Sequence, residues 1–450
     1  MPIINPLELP EIRARISLFV TIQDAIACAQ VCKDWSSDFT RVIWHTLNFD
    51  DHYVLRSLDP SVFQKYGSSI RVIRNLKEET DIARLLTSPA RRIKSISASL
   101  REIPRLQANF FDLIHQSNAS LEHIDVSGFA GSRTFLSADA MIPGDSSRLS
   151  HLSFQSLKML RSAFSSLLKL CPLLERLDIR YTTLTHNNFD AYPHPRLNFI
   201  VAPVSQVFQP DPDHLCSSSL LVHCPKLTSW QIWGAESSVL EFTTDIIKKE
   251  VAQCCPLVRS LFVEAPESIA VGLLENAFTG LTEVFIDYDR ISSDSIVMAA
   301  LTHRETLDSF GAFVPFGGFY ECKELFTEED HLQESASSFQ MLPQLCSQLK
   351  LLMIPKLEMD IEAIEKQEWS CRDLEELAVR IRGLDTTEKI TRTIQLWIDA
   401  RNQIKESESA DSNTLLQDDN SIEGRVARHL LKFPKLQEVW LGAGVKKIAA

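Results

Sequence analysis

The sequence lacks most of the features that mark an enzyme, a membrane protein or a nucleic-acid binder. No stretch approaches the ~18 consecutive apolar residues of a membrane span. The opening MPIINPLELPEIRARISLF is broken by Pro2, Pro6 and Pro10 and by charges of both signs, so it does not read as a secretory leader. Basic residues are the minority, 46 against 59 acidic, giving a net charge of -13. A main partner that is nucleic acid or an anionic membrane would demand a cationic face, and this balance argues against both.

Glycine is scarce, at 14 residues, and GFAGS and FGGFY lack the length and the Lys-Ser/Thr ending of a phosphate-binding loop. Neither HExxH nor GxSxG occurs, and the 12 histidines are scattered. The 10 cysteines are spread irregularly without secretory features, so reduced thiols and a cytoplasmic or nuclear location are expected. The chain therefore reads as a non-enzyme with no cofactor and no metal.

What is present is a repeat. From about residue 90 onward a six-residue pattern recurs: apolar, two variable, apolar, one variable, apolar. It reads LEHIDV at Leu121, LSHLSF at Leu149, LERLDI at Leu174, LTSWQI at Leu227, VRSLFV at Val258 and LTEVFI at Leu281. It continues as LKLLMI at Leu349, LEELAV at Leu374 and LQEVWL at Leu436, with weaker copies at Ile93, Leu197 and Leu307. From Ile93 to Leu307 successive copies start 23 to 31 residues apart, and the last three gaps are 42, 25 and 62.

The last two apolar positions of each copy are two apart and so share one face of a strand. Segments between copies, such as RSAFSSLLKLCP and TTDIIKKEVAQCCP, carry the helical three-and-four spacing. One short strand plus one helix cannot bury its apolar face alone, but stacked units form a continuous core. Proline precedes the pattern in CPLLERL, HCPKLTSW, CCPLVRSL and FPKLQEVW, where it ends the helix and hands the chain to the strand. Cys171, Cys224 and Cys255 precede three of these prolines with no second cysteine at ligand spacing, so they read as small apolar residues at helix ends.

These features resemble leucine-rich repeats of the long, cysteine-containing kind, over about residues 60 to 450. The resemblance implies an α/β solenoid, a horseshoe of about 12 to 13 strand-helix repeats. Insertions interrupt the rhythm near 314–340 and 384–422. The second opens with the helix-like TTEKITRTIQLWIDARNQIK, and its polar, acidic part, 405–421, is expected to be disordered.

Residues 1–50 have a different rhythm. Leu9, Ile12, Ile16 and Phe19 form one face of a helix beginning near Pro10. Ile22, Ala25, Cys28, Cys32 and Trp35, with Val31 beside them, form one face of a second helix, which makes the two cysteines core residues rather than a metal or redox pair. RVIWHTLNF supplies a third helix with Trp44 and Leu47. Three short helices in some 45 residues form a bundle too small to stand alone, which must be completed by a partner or by the adjoining solenoid.

The order LELPEI, DAIACAQVCKDW, IWHTL resembles an F-box, over about residues 5–49, although LPEI lacks the residue usual between the proline and the glutamate-isoleucine pair. The resemblance implies docking on a Skp-type adaptor of a cullin-RING ubiquitin ligase, through Leu9, Pro10, Ile12, Ile16, Val31, Cys32 and Trp35. Residues 51–450 would then be the solenoid that holds a target protein. Alternating positions of its strands would face the concave surface, giving Arg176, Trp233, Phe262, Phe285, Met353, Arg380 and Trp440 as substrate-binding candidates of interface-enriched types. The alternative is an interaction scaffold whose F-box-like bundle merely caps the open end of the repeats. A third reading, a leucine-rich-repeat regulator of a small GTPase or phosphatase, is disfavoured by the N-terminal module.

Overall fold

The computed structural model describes residues 7, 9–50, 55, 57–99, 104–127, 147–155, 158–180, 182–185, 192–203, 220–233, 251, 253–265, 267–286, 293–312, 337–406, 416 and 419–441. They fall into two compact units, Met1–Lys226 and Leu227–Ala450.

The first unit begins with three short helices, α1 (Pro10–Ile16), α2 (Ile22–Ala29) and α3 (Lys33–Ile43). Pro10 starts α1, where the missing amide costs nothing and the fixed φ suits the helix. Thr21 caps α2 reciprocally: its hydroxyl accepts from the Asp24 amide at 3.2 Å while the Asp24 carboxylate accepts from the Thr21 amide at 3.2 Å.

The second helix is not the continuous one that the spacing predicts. It stops at Ala29, and Cys32, extended at φ −162° and ψ 174°, becomes the N-cap of α3. The break lets α2 and α3 fold back on each other, fully burying Ala25 and Phe39. A three-residue break, Gln30–Cys32, leaves the i, i+4, i+7 spacing of Cys28, Cys32 and Trp35 intact, so periodicity could not reveal it. Neither cysteine is a core residue: Cys28 is half-buried and Cys32 exposed. The expected third helix also ends early, with Leu47 buried in strand β1 (Thr46–Asn48).

From β1 the first unit builds a parallel sheet. Its further strands are β2 (Val72–Leu76), β3 (Ser95–Ser99), β4 (His123–Ser127), β5 (His151–Phe154), β7 (Arg176–Asp178) and β9 (Phe199–Pro203), each paired in parallel with the next. β6 (Lys158–Leu160) and β8 (Thr183–Thr185) form a separate parallel pair. Helices α4 (Pro60–Tyr66), α5 (Glu79–Thr87), α6 (Pro104–Ser117) and α7 (Arg161–Leu170) fall between strands.

The second unit repeats the scheme. Strands β10 (Ser229–Trp233), β11 (Ser260–Val263), β12 (Glu283–Ile286), β13 (Ser309–Ala312), β14 (Leu351–Met359), β15 (Glu376–Ile381) and β16 (Glu438–Leu441) pair in parallel in that order. Between them lie α8 (Glu267–Gly272), α9 (Ser293–Leu301), α10 (Met341–Leu345), α11 (Ile361–Lys366), α12 (Thr387–Glu406) and α13 (Ile422–Leu430). Each unit is thus a parallel sheet with interleaved helices, a solenoid-like α/β arrangement.

All twelve sequence copies become strands of these sheets, and the leading apolar residue of each is buried beside its strand. One bond pattern locks successive units. The carbonyl of Lys94 accepts the amides of Glu122 and His123, that of Glu122 those of Ser150 and His151, and that of Ser150 those of Glu175 and Arg176. The same double acceptance runs through Thr228, Arg259, Thr282, Asp308, Lys350 and Glu375 in the second unit. It satisfies buried backbone groups at the point where each strand begins.

Cys171, Cys224 and Cys255 are fully buried, as their apolar reading implies, and Cys346 and Cys371 occupy the same place three residues before a strand motif. Burial pushes the Cys171 and Cys371 thiols up to about 12 and that of Cys346 to about 11, so none is a thiolate at neutral pH. Buried His194 and His303 bridge repeats, each Nε2 lying 2.8 and 2.7 Å from the carbonyls of Cys171 and Leu274. The expected disordered segment lies outside the described residues except for Lys405 and Glu406, which end α12, and residues 416 and 419–421; the first insertion lies outside them up to residue 336.

Candidate functional site

Three surfaces bear on function, and the most distinctive is at the N-terminal helices. Among the described residues, eight of the eleven exposed large apolar side chains fall between Leu7 and Val31. Soluble proteins rarely leave so many apolar groups in water within one short segment, and such concentrations mark contact with another molecule.

Of the residues that the sequence assigns to an adaptor contact, Leu9, Pro10, Ile12, Val31 and Cys32 are exposed, and Val31 is 64% accessible. Ile16 and Trp35 are half-buried, the latter stacked on Phe39 with centroids 5.3 Å apart. The sequence singled out neither Leu18 nor Ile26, and it placed Ile22 on the face of α2 and Phe19 on the face of α1 without naming either as a contact. Because α1 ends at Ile16, Phe19 leaves that face and is 86% accessible, with Leu18 at 77%. The helices are held by Arg13, whose buried guanidinium binds Asp38 of α3 at 2.6 Å and the carbonyl of Leu7 at 3.3 Å.

In the first unit, the strand face that alternates with the core is polar. In register across it run Ser95, His123, His151, Arg176 and Phe199. The imidazoles of His123 and His151 lie 5.2 Å apart. Burial pulls both below the ordinary histidine range. The charge of Arg176 lowers both further, while Asp125 partly opposes the shift at His123 and His151 also feels His123. Both rings are therefore neutral at pH 7. Arg176 is exposed, its guanidinium 4.1 Å from the Phe199 ring centre. The next row holds Ser97, Asp125, Ser153 and Asp178, with Asp178 bound by Arg180 at 2.6 Å.

The corresponding face of the second unit differs. Its row runs Gln231, Phe262, Phe285, Gly311, Met353, Ala378 and Trp440. Phe285, Met353 and Trp440, expected on an open concave face, are instead buried at 4, 3 and 4% accessibility. Across the strands, large Phe285, Met353 and Trp440 alternate in register with small Gly311 and Ala378, and Phe285, Met353, Ala378 and Trp440 pack into one buried cluster. Phe262 packs against this cluster and remains half-buried, as does Arg380, whose Nε and Nη2 are buried without a hydrogen-bond partner. The Trp233 side chain lies outside the described residues.

Among the described residues, no three His, Cys, Asp or Glu side chains converge to hold a metal ion. No described helix is long and apolar enough to cross a membrane. Compared with protein-family models and with curated proteins, the chain matches none.

Proposed function

We propose that the chain is a non-catalytic adaptor. Its N-terminal helices act as an F-box that docks on a Skp-type adaptor of a cullin-RING ubiquitin ligase, and its strand-helix units act as leucine-rich repeats that hold a target protein. The observation that carries this reading is the crowding of exposed apolar side chains into residues 7–31, beside a helix pair whose own core is little more than Ala25 and Phe39. Surplus apolar surface on a small helical module is what a partner helix covers. The target would lie against the largely half-buried polar row of the first unit, with the exposed Arg176 as the principal candidate; Phe262 and Arg380 are separate candidates within the second unit. Within the second unit, the packed trio Phe285, Met353 and Trp440 supports Phe262.

A second reading rests on Trp44. It follows α3 directly and stacks on Tyr66 at 5.2 Å, so the N-terminal helices are anchored to the first repeat as a solenoid cap would be. Co-purification of the full chain from cells separates the two. Recovery of a Skp-type adaptor and a cullin, lost on Leu9→Ala with Pro10→Ala, supports docking; a folded chain that recovers neither supports the cap.

A further inference from the structure

A local excess of positive charge lies elsewhere, in a cleft of about 600 Å³ within the second unit. It is bounded by the C-terminal half of α12, the turn after α13 and the segment 368–372. Four of its lining residues are cations, Arg372, Arg401, Lys405 and Lys432, against the single carboxylate of Glu368. In a chain of net charge -13, that local inversion of sign is selective for an anionic partner.

The four cations are not equivalent. Arg372 pairs with Glu368, and Arg401 donates to the carbonyls of Pro434 and Leu436 while its guanidinium sits 5.4 Å from the Trp397 ring. These two are committed to the architecture of the cleft. Lys405 and Lys432 are exposed at its rim. Behind them the accessible apolar lining is Ile404, Leu431 and Pro434, the first two half-buried and the third exposed, laid over the buried rings of Trp397 and Phe433. The field of the rim reaches inward: His429, packed on Phe433 at 5.4 Å, is depressed to about 3, first by burial and then by Lys432 and Arg372.

We propose that this cleft binds an acidic peptide segment that carries a large apolar residue, the apolar side chain entering against Ile404, Leu431 and Pro434 and flanking carboxylates meeting Lys405 and Lys432. A lipid surface is disfavoured because the apolar groups are recessed and cannot project into a bilayer. A free inorganic anion would leave the apolar wall unused. This site does not depend on the adaptor-docking reading, since none of its residues belongs to the N-terminal helices.

The test uses the full chain and a fluorescein-labelled peptide with a central phenylalanine flanked by two glutamates on each side, read by fluorescence anisotropy. Saturable binding is expected, weakened at least tenfold by glutamine in place of glutamate, by glycine in place of phenylalanine, and by Lys405→Glu with Lys432→Glu. Both lysines are exposed, so an unchanged circular dichroism spectrum and melting point should accompany the double variant. Lys405→Gln with Lys432→Gln gives a second, milder reading in the same direction. Absence of saturable binding, equal affinity for the glutamine peptide, or wild-type affinity in the lysine variants would overturn the proposal. So would binding to phosphatidylserine vesicles without any binding of the peptide.

Discussion

Phe262 and Phe285 are Cα partners on adjacent strands, and their rings stack with centroids 4.8 Å apart and planes inclined by 9°. Both sit on the strand face opposite the main core, yet the pair joins Met353, Ala378 and Trp440 in a second hydrophobic layer. Phe285→Ala removes a buried aromatic and should cost about 3 kcal/mol, the low end for a phenylalanine truncated in a core. Phe262→Ala, at the half-buried edge, should cost about half as much. Urea unfolding of the two variants checks the order; equal, small losses would mean that this face is an open surface.

Gly424, in the first turn of α13, makes a prediction against helix propensity. Alanine there would favour the helix by about 1 kcal/mol. Its Cβ, however, would lie 2.5 Å from Asp419 Cγ and 2.7 Å from the Asp419 carbonyl oxygen. Asp419 cannot easily withdraw, since it accepts from the Ser421 amide at 2.9 Å and from Arg428 at 3.0 Å. Overpacking of this kind costs about 1–3 kcal/mol. Gly424→Ala should therefore destabilise, by up to about 2 kcal/mol net, in a thermal melt.

His429 should make stability depend on pH. It is buried between Trp369 and Phe433, with neither ring nitrogen hydrogen-bonded. Its pKa falls from 6.5 to about 3 in the folded chain, so between those values the unfolded state binds more protons. Above pH 6.5 the ring is neutral in both states and its titration costs nothing; as pH falls from 6.5 towards 3, protonation of the unfolded state progressively lowers stability. His429→Phe removes both the titration and two unpaired buried nitrogens. It should stabilise by about 1 kcal/mol at pH 7.5 and by more at pH 5, measured as the difference between two urea melts.

The exposed apolar residues should behave in the opposite way, mattering for binding and not for stability. Phe19→Ser and Val31→Ser lie outside any described core and should shift stability by less than about 0.5 kcal/mol. If either lowers the melting point by several degrees, that side chain is part of the packed structure and not a contact surface.

The repeat was legible because it is local: six residues carry each strand, and all twelve motifs became strands. Cys171, Cys224 and Cys255 were legible for the same reason, as each precedes a strand motif at fixed distance; Cys346 and Cys371 follow the same rule but have no proline after them to draw attention. What escaped reading is non-local or subtler than spacing. The alternation of Phe285, Gly311, Met353, Ala378 and Trp440 exists only across five strands, so each bulky residue looked exposed in its own motif. The break at Gln30–Cys32 has neither glycine nor proline, and the apolar rhythm passes through it unchanged. The cationic cleft draws on three separated segments, so nothing in any one of them announced it.

Titration of purified full-length chain with a purified Skp-type adaptor, followed by calorimetry, tests the docking account most directly. The account predicts saturable one-to-one binding that Phe19→Ser with Val31→Ser weakens at least tenfold while the melting point holds. A folded wild-type chain that shows no binding, or binding that these two substitutions leave unchanged, would contradict it.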